Sequence, residues 1–171
     1  TDSTYDAGTT TQLMWGARSD VGCVRPHNED SYLVQSPLFC VCDGMGGHAA
    51  GEVASSIAVE TIAKTAPQSA DAARLAAAVE AANAAVIEAA LNGLGKPGMG
   101  CTATCAYIEN DTLAIAHVGD SRAYLLHEGT LIRVTRDHSY VEELVDAGEI
   151  TADEALVHPN RSVITRALGS D

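Results

Sequence analysis

Basic residues are scarce in this chain. Ten lysines and arginines stand against 23 aspartates and glutamates, a formal net charge of −13 over 171 residues. That balance argues against nucleic acid as a partner, because phosphate contacts need a basic footprint. Long apolar runs are also missing: none approaches the roughly 20 residues that cross a bilayer. The N-terminus lacks the basic and apolar regions of a secretory signal, so the chain reads as cytoplasmic. The five cysteines, Cys23, Cys40, Cys42, Cys101 and Cys105, include no CxxC pair. Cys40 with Cys42, and Cys101 with Cys105, would share strand faces. An odd count without metal-ligand spacing favours buried, reduced thiols over zinc. The glycine-rich stretch 93–100 (GLGKPGMG) lacks the GxxxxGK[ST] spacing and no helix follows it, which excludes a P-loop.

What is present suits one globular core. The length exceeds what one core needs and falls short of two domains. An apolar content of 46% with a mean hydropathy of +0.03 places the chain among folded proteins rather than disordered ones. Residues 1–12, polar and threonine-rich, read as a flexible leader, with the domain proper over 13–171. Strands are expected at 13–22 and 31–34. The apolar run 38–42 predicts a strand buried on both faces that ends in a turn at Asp43-Gly44-Met45-Gly46-Gly47. A helix is expected from His48 to Ala66, with Val53, Ile57 and Thr61 as one stripe and Ala54, Ala58 and Ile62 beside it; Pro67 stops it. Ser69 caps a second helix running to Leu91, with Leu75, Val79, Ala82, Val86 and Ala90 at helical spacing. An antiparallel meander follows: 101–109, 112–118, then a hairpin around Glu128-Gly129. From about 136 to 170 the texture turns polar, with short helices at 139–147 and 151–156, and this part reads as a cap or flap.

The chemistry concentrates between Arg25 and His48. Glu29 and Asp30 precede a short apolar run, and Asp43 with Gly44 follows it. A strand that delivers a carboxylate to its end pays a desolvation cost unless a cation neutralises the charge. Arg25, four residues before Glu29, suits phosphate, which guanidinium clamps bidentately. The stretch therefore reads as a divalent-metal site with a phosphate-binding arginine beside it. Asp120, in the turn Gly119-Asp120-Ser121-Arg122, is a further carboxylate placed at a strand end.

Five segments in this order, RPHNED, DGMGGHAAGE, HVGDSRAYLL, TRDHSYVEEL and HPNRSVITRALG, resemble the metal-dependent serine/threonine protein phosphatases, the PPM or type-2C family, in its bacterial form. The resemblance runs from about residue 13 to the end. It implies an α+β fold, an α-β-β-α sandwich of two antiparallel sheets flanked by helix pairs. It also implies a binuclear Mn2+ or Mg2+ centre, with a third, weaker ion. Asp43 would bridge the two metals. Glu29 and the Gly44 carbonyl would complete one shell, Asp30 would act through water, and Asp120 would serve the third ion. Arg25 would grip the substrate phosphate. The partners implied are phosphorylated proteins, substrates of a serine/threonine kinase, hydrolysed by a metal-activated water.

Two departures accompany the resemblance. Met45 stands where animal members carry a histidine thought to be a general acid, and His48 is the conceivable substitute. The family's later segment, with two more metal-binding aspartates and the last sheet strands, does not follow Asp171. The sandwich is thus expected to be incomplete, with open sheet edges that favour self-association. A non-catalytic or regulatory module on the same scaffold is the alternative function. A metal-dependent hydrolase of small phosphorylated molecules is a third.

Overall fold

The folding logic is clearest in one strand that alternates between core and cleft and in two alanine-rich helices that cover its buried face. In a computed structural model of the chain, which describes residues 3–10, 12–47 and 49–170, the elements run β1 (Ser3–Thr9), β2 (Met14–Asp20), β3 (Asp30–Gln35), β4 (Leu38–Met45), α1 (Ala50–Thr65), α2 (Ala72–Leu91), β5 (Gly100–Cys101), β6 (Ala103–Glu109), β7 (Thr112–Val118), β8 (Tyr124–His127), β9 (Thr130–Arg133), α3 (Tyr140–Asp146) and α4 (Ala152–Leu156). The central sheet runs β3-β4-β6-β7 with β5 also on β4; β1-β2 and β8-β9 form two separate hairpin sheets. Every strand pairing is antiparallel, as the α+β expectation requires.

β4 does not end at Asp43. It runs on through Gly44 to Met45, paired with β3 on one side and with β5 and β6 on the other. The expected turn therefore begins only at Gly46. Nor is β4 buried on both faces. Leu38, Cys40, Cys42 and Gly44 are buried, while Val41 and Asp43 are exposed. The strand is half-buried, with the strict period of two that this implies.

Helices α1 and α2 pack against each other and onto the sheet, α1 over β3 and β4 and α2 over β6 and β7. In α1 the buried face is Ala50, Gly51, Ala54, Ser55, Ala58 and Ile62. The stripe expected through Val53, Ile57 and Thr61 lies at its margin, because small residues allow the closer approach to the sheet. In α2, Leu75, Ala78, Val79, Ala82, Val86 and Ala89 face inward. Its N-cap is Asp71, whose side chain accepts from the Arg74 amide, rather than Ser69. Leu38, Ile62 and Leu75 are at most 2% exposed, and burying each contributes about 1.5–3 kcal/mol. Cys40, Cys42, Cys101 and Cys105 all lie in this core, and Cys23 is exposed.

Two boundaries differ from expectation. Part of the 1–12 leader is a strand: residues 3–9 pair along their length with β2, setting Gly8 opposite Trp15. The indole lies against Gly8, where any Cβ would collide with it. The tryptophan thus packs across the pair and fixes a segment whose own side chains are mostly exposed. Tyr32 from β3 adds a hydrogen bond, donating to Asp6 Oδ2 at 2.5 Å. At the other end, the segment expected as a flap over 136–170 returns to the core before it finishes. Ile164 bridges Ser139, Leu168 bridges Cys101, and Leu168 is 3% exposed. Only the part between, α3 and α4, stands out as a cap.

Candidate functional site

The register of β3 and β4 sets Asp30 directly opposite Asp43, so the two carboxylates share one face of the sheet, where like charges repel. The Asp43 pKa is pushed up to about 6 by loss of water, by the Asp30 charge and by a hydrogen bond between the two carboxyls; the Arg25 guanidinium pulls it down. Asp43 is exposed as a residue, which limits the effect of lost water and leaves the facing Asp30 charge as the firmer cause. Upstream, Asn28 fixes the approach: Asp30 N–H donates to Asn28 Oδ1 (3.0 Å), and Asn28 Nδ2 donates to Ser19 Oγ (2.7 Å). Arg25 makes no ion pair with a carboxylate among the described residues.

Glu29 is held where β4 meets α1. Its carbonyl accepts from Gly44 N–H (3.2 Å) and from the Ser55 hydroxyl (2.7 Å). Gly44 and Gly51 are the reason these elements can touch. A Cβ on Gly44 would run into the Gly51 carbonyl, and one on Gly51 would lie 2.7 Å from Gly44 C and 3.0 Å from the Glu29 carboxyl carbon. The Glu29 side chain therefore lies against the first turn of α1, alongside β4.

Asp120 arrives from the other side of the sheet, in the turn after β7. Burial raises its pKa first and the Asp43 charge second; its own backbone N–H and Arg122 lower it, and Asp137 raises it. Asp43 and Asp120 thus feel each other's charge. Arg122 faces Asp137 with three contacts of 2.7–3.3 Å, and Asp137 is buried. That neighbour holds Arg122 protonated. Arg133 approaches the same carboxylate at 4.0 Å.

Thr102 joins the two halves. It interrupts the strand expected over 101–109, splitting it into β5 and β6. Its hydroxyl accepts from Asp43 N–H (2.9 Å), its own N–H donates to the Asp43 carbonyl (2.9 Å), and its Oγ1 lies 2.7 Å from Ser121 Oγ. Thr102, Ser121, Arg122 and Asp137 were not singled out from the sequence. Arg122 and Asp137 are 15 residues apart, and no local spacing connects them; the available signal was that Ser121 and Arg122 stand in HVGDSRAYLL and Asp137 in TRDHSYVEEL, two of the segments that carry the resemblance. Met45, paired with Gly100, is half-buried. His48 lies outside the described residues.

A cavity of about 270 Å³ is lined by Asp30, Asp43, Cys42, Ser121 and neighbours from β2. A separate, larger one of about 500 Å³ lies under α3 and α4 and is lined in part by Asp120, Arg122 and Asp137. Among the described residues, no three histidines, cysteines, aspartates or glutamates are grouped to hold an ion by themselves. In kind, however, the donors suit a hard divalent cation: they are oxygens, and two opposed carboxylates gain most from a shared cation. The residues fit part of a metal shell.

Residues 15–144 match the family described as Protein phosphatase 2C. The chain is 44% identical over 165 residues to the serine/threonine protein phosphatase PstP of Mycobacterium tuberculosis, covering 95% of this chain and 32% of that protein. It is 39% identical to the serine/threonine phosphatase stp of Listeria welshimeri, covering 89% of this chain and 65% of the relative. It therefore spans about a third to two thirds of the length of these relatives. A crystal structure of the M. tuberculosis phosphatase superposes with a TM-score of 0.82 at 40% identity, over 99% of this chain and 69% of that one. The catalytic domain of PstP solved with two manganese ions superposes at 0.77 and 38% identity, over 98% and 67%.

Proposed function

This chain belongs to the protein phosphatase 2C family, and we propose that the protein hydrolyses phosphoserine and phosphothreonine in other proteins with a metal-activated water. The observation that carries the reading is the opposed pair Asp30 and Asp43 within the influence of Arg25 and Asp120. Arg25, Asp30 and Asp43 come from one stretch of chain, and Asp120 joins them from the turn after β7. Two carboxylates set against each other cost stability, and such clusters mark functional sites.

In this reading Asp43 would be a ligand common to two ions, Glu29 and the Gly44 carbonyl would help hold one of them, Asp30 would contribute through water and Asp120 would hold a third. Manganese or magnesium, when bound, supplies an acidified water and screens phosphate charge. Arg25 binds the phosphate oxygens and orients the phosphorus. Asp30 keeps the Asp43 charge poised for a cation, and Thr102 fixes the Asp43 backbone. No covalent phosphoenzyme is required, so the cysteines take no part. The two manganese ions in the related structure support the cofactor assignment.

The substrates are phosphorylated proteins that a serine/threonine kinase supplies, and the setting is the cytoplasm. The five free cysteines support a reducing compartment. No helix among the described residues is long and apolar enough to cross a membrane. The exposed apolar side chains of the β8-β9 hairpin, Leu126 at 69% and Leu131 at 65% among them, support self-association with a second copy. A monomer throughout concentration-dependent sedimentation would count against that.

The test of the main reading is phosphate release from a phosphothreonine peptide by the full-length protein with Mn2+. Activity should vanish in chelator and in Asp43→Ala. A folded protein that releases no phosphate, or an Asp43→Ala variant that still does, would sink the reading.

A further inference from the structure

We infer that His138 is a positioning residue for Asp120, holding the turn that presents this carboxylate. The inference rests on the reading of Asp120 as the third-ion ligand. Asp120 follows Gly119, whose φ of +110° is a conformation that L side chains rarely adopt. Glycine gives the turn this shape but no stiffness, since it is the least restrained residue. Stiffness has to come from neighbours, and two supply it. Thr102 fills the space where a Gly119 Cβ would stand, 2.5 Å from its Cγ2. Residue 138 grips Gly119 at both of its backbone polar groups. Gly119 N–H donates to His138 Nδ1 (3.0 Å), and His138 N–H donates to the Gly119 carbonyl (2.9 Å).

The imidazole is itself held in place. Because Nδ1 accepts, the ring is neutral with its proton on Nε2. Burial and the neighbouring His117 lower its pKa, which keeps Nδ1 free to accept. The ring stacks on His117 with centroids 5.3 Å apart. His117 is tied at both nitrogens: Nε2–H donates to the Arg136 carbonyl (3.0 Å), and Nδ1 accepts from the Thr104 hydroxyl (2.9 Å). The His138 carbonyl accepts from Thr165 N–H (2.9 Å), and the adjacent Ser139 bridges Ile164. His138 therefore sits where both ends of the cap cross and fastens the Asp120 turn to that crossing. Of the three hydrogen bonds that residue 138 makes, only the one to Nδ1 depends on its own side chain, so replacing that side chain removes this bond and the His117 stack but leaves the two backbone bonds.

The experiment is Mn2+ calorimetry on the full-length protein, with phosphopeptide turnover followed against Mn2+ in parallel. Asp120→Asn identifies the weak phase. His138→Leu keeps the bulk of the side chain and removes the acceptor; His138→Asn returns an acceptor oxygen close to the Nδ1 position. The weak phase should loosen about 10–100-fold in His138→Leu, the range for loss of an outer-shell partner. The tight phase and the melting temperature should hold, and His138→Asn should recover most of the loss. The inference is overturned if His138→Leu binds Mn2+ as the wild type does. It is also overturned if both phases and the melting temperature fall together, or if His138→Asn does no better than His138→Leu. A wild type with no Mn2+ binding and no phosphate release instead refutes the phosphatase reading. An Asp120→Asn variant that leaves the titration unchanged refutes the role of Asp120, and with it that of His138.

Discussion

Replacing Thr102 with valine isolates the hydroxyl that ties the two halves of the site together. Thr102 is fully buried, and valine has nearly the same shape, so no cavity opens. The Thr102 N–H still donates to the Asp43 carbonyl. What is lost is the acceptor for Asp43 N–H at 2.9 Å and the partner of Ser121 Oγ at 2.7 Å. The Asp43 N–H bond is part-buried, and a donor left without a partner costs about 1 kcal/mol where water can reach it and up to about 3 kcal/mol where it cannot. Ser121 is half-buried and can turn to water, so it adds little. The expected loss is therefore about 1–3 kcal/mol, each kcal/mol lowering the melting temperature by about 2–4 °C in a domain of this size. Urea unfolding of the metal-free protein measures it, with an unchanged m-value showing that the unfolded state is not the cause. Thr102→Ser is the control, because it keeps the hydroxyl and loses only the methyl packed on Gly119. A double-mutant cycle with Ser121→Ala should show a coupling of about 0.5 kcal/mol or more. Thr102→Val within about 0.5 kcal/mol of wild type, or Thr102→Ser losing more than Thr102→Val, would refute the reasoning.

Other consequences concern charge and close packing. The Asp43 pKa is raised in the folded state to about 6 from an ordinary value of 3.8, so the folded protein holds more protons between those values. Its contribution to stability is therefore present below about pH 4 and lost as pH rises through about 6. The melting temperature of metal-free Asp43→Asn should gain on wild type across that window, and a gap independent of pH would contradict it. Gly51→Ala reverses the usual helix rule. Alanine normally favours a helix over glycine, but here its Cβ would meet the β4 backbone at 2.7 Å. Overpacking of this kind destabilises by about 1–3 kcal/mol, and a stabilised variant in urea unfolding would disprove the close approach. Arg122→Met leaves Asp137 buried with Arg133, at 4.0 Å, as its one remaining ion-pair partner among the described residues. It should destabilise by about 1–3 kcal/mol, less than for a fully buried pair because Arg122 is partly exposed; raising the salt concentration should change this loss little.

The sequence by itself determined the local elements and the chemical types. Alanine and leucine at helical spacing put α2 where expected, and the glycine-bounded apolar runs put β4, β6 and β7 in order. Arg25, Glu29, Asp30 and Asp43 were expected as a phosphate and cation set because costly charges cluster there, and the family resemblance added Asp120; the structure sets Asp30 against Asp43, with Arg25 and Asp120 close enough for their charges to act on that pair. Tertiary structure decided the rest, since side-chain direction depends on register and on which element covers which. Residues 3–9 carry little strand signal of their own; pairing with β2 and the Trp15 indole on Gly8 make them a strand. Asp43 looked like a turn residue until β3 and β5 extended β4 through it. Thr102, His138 and the Arg122–Asp137 pair leave no trace in sequence spacing. Their partners lie 15 to 59 residues away, and contacts of that range arise only once the sheet has closed.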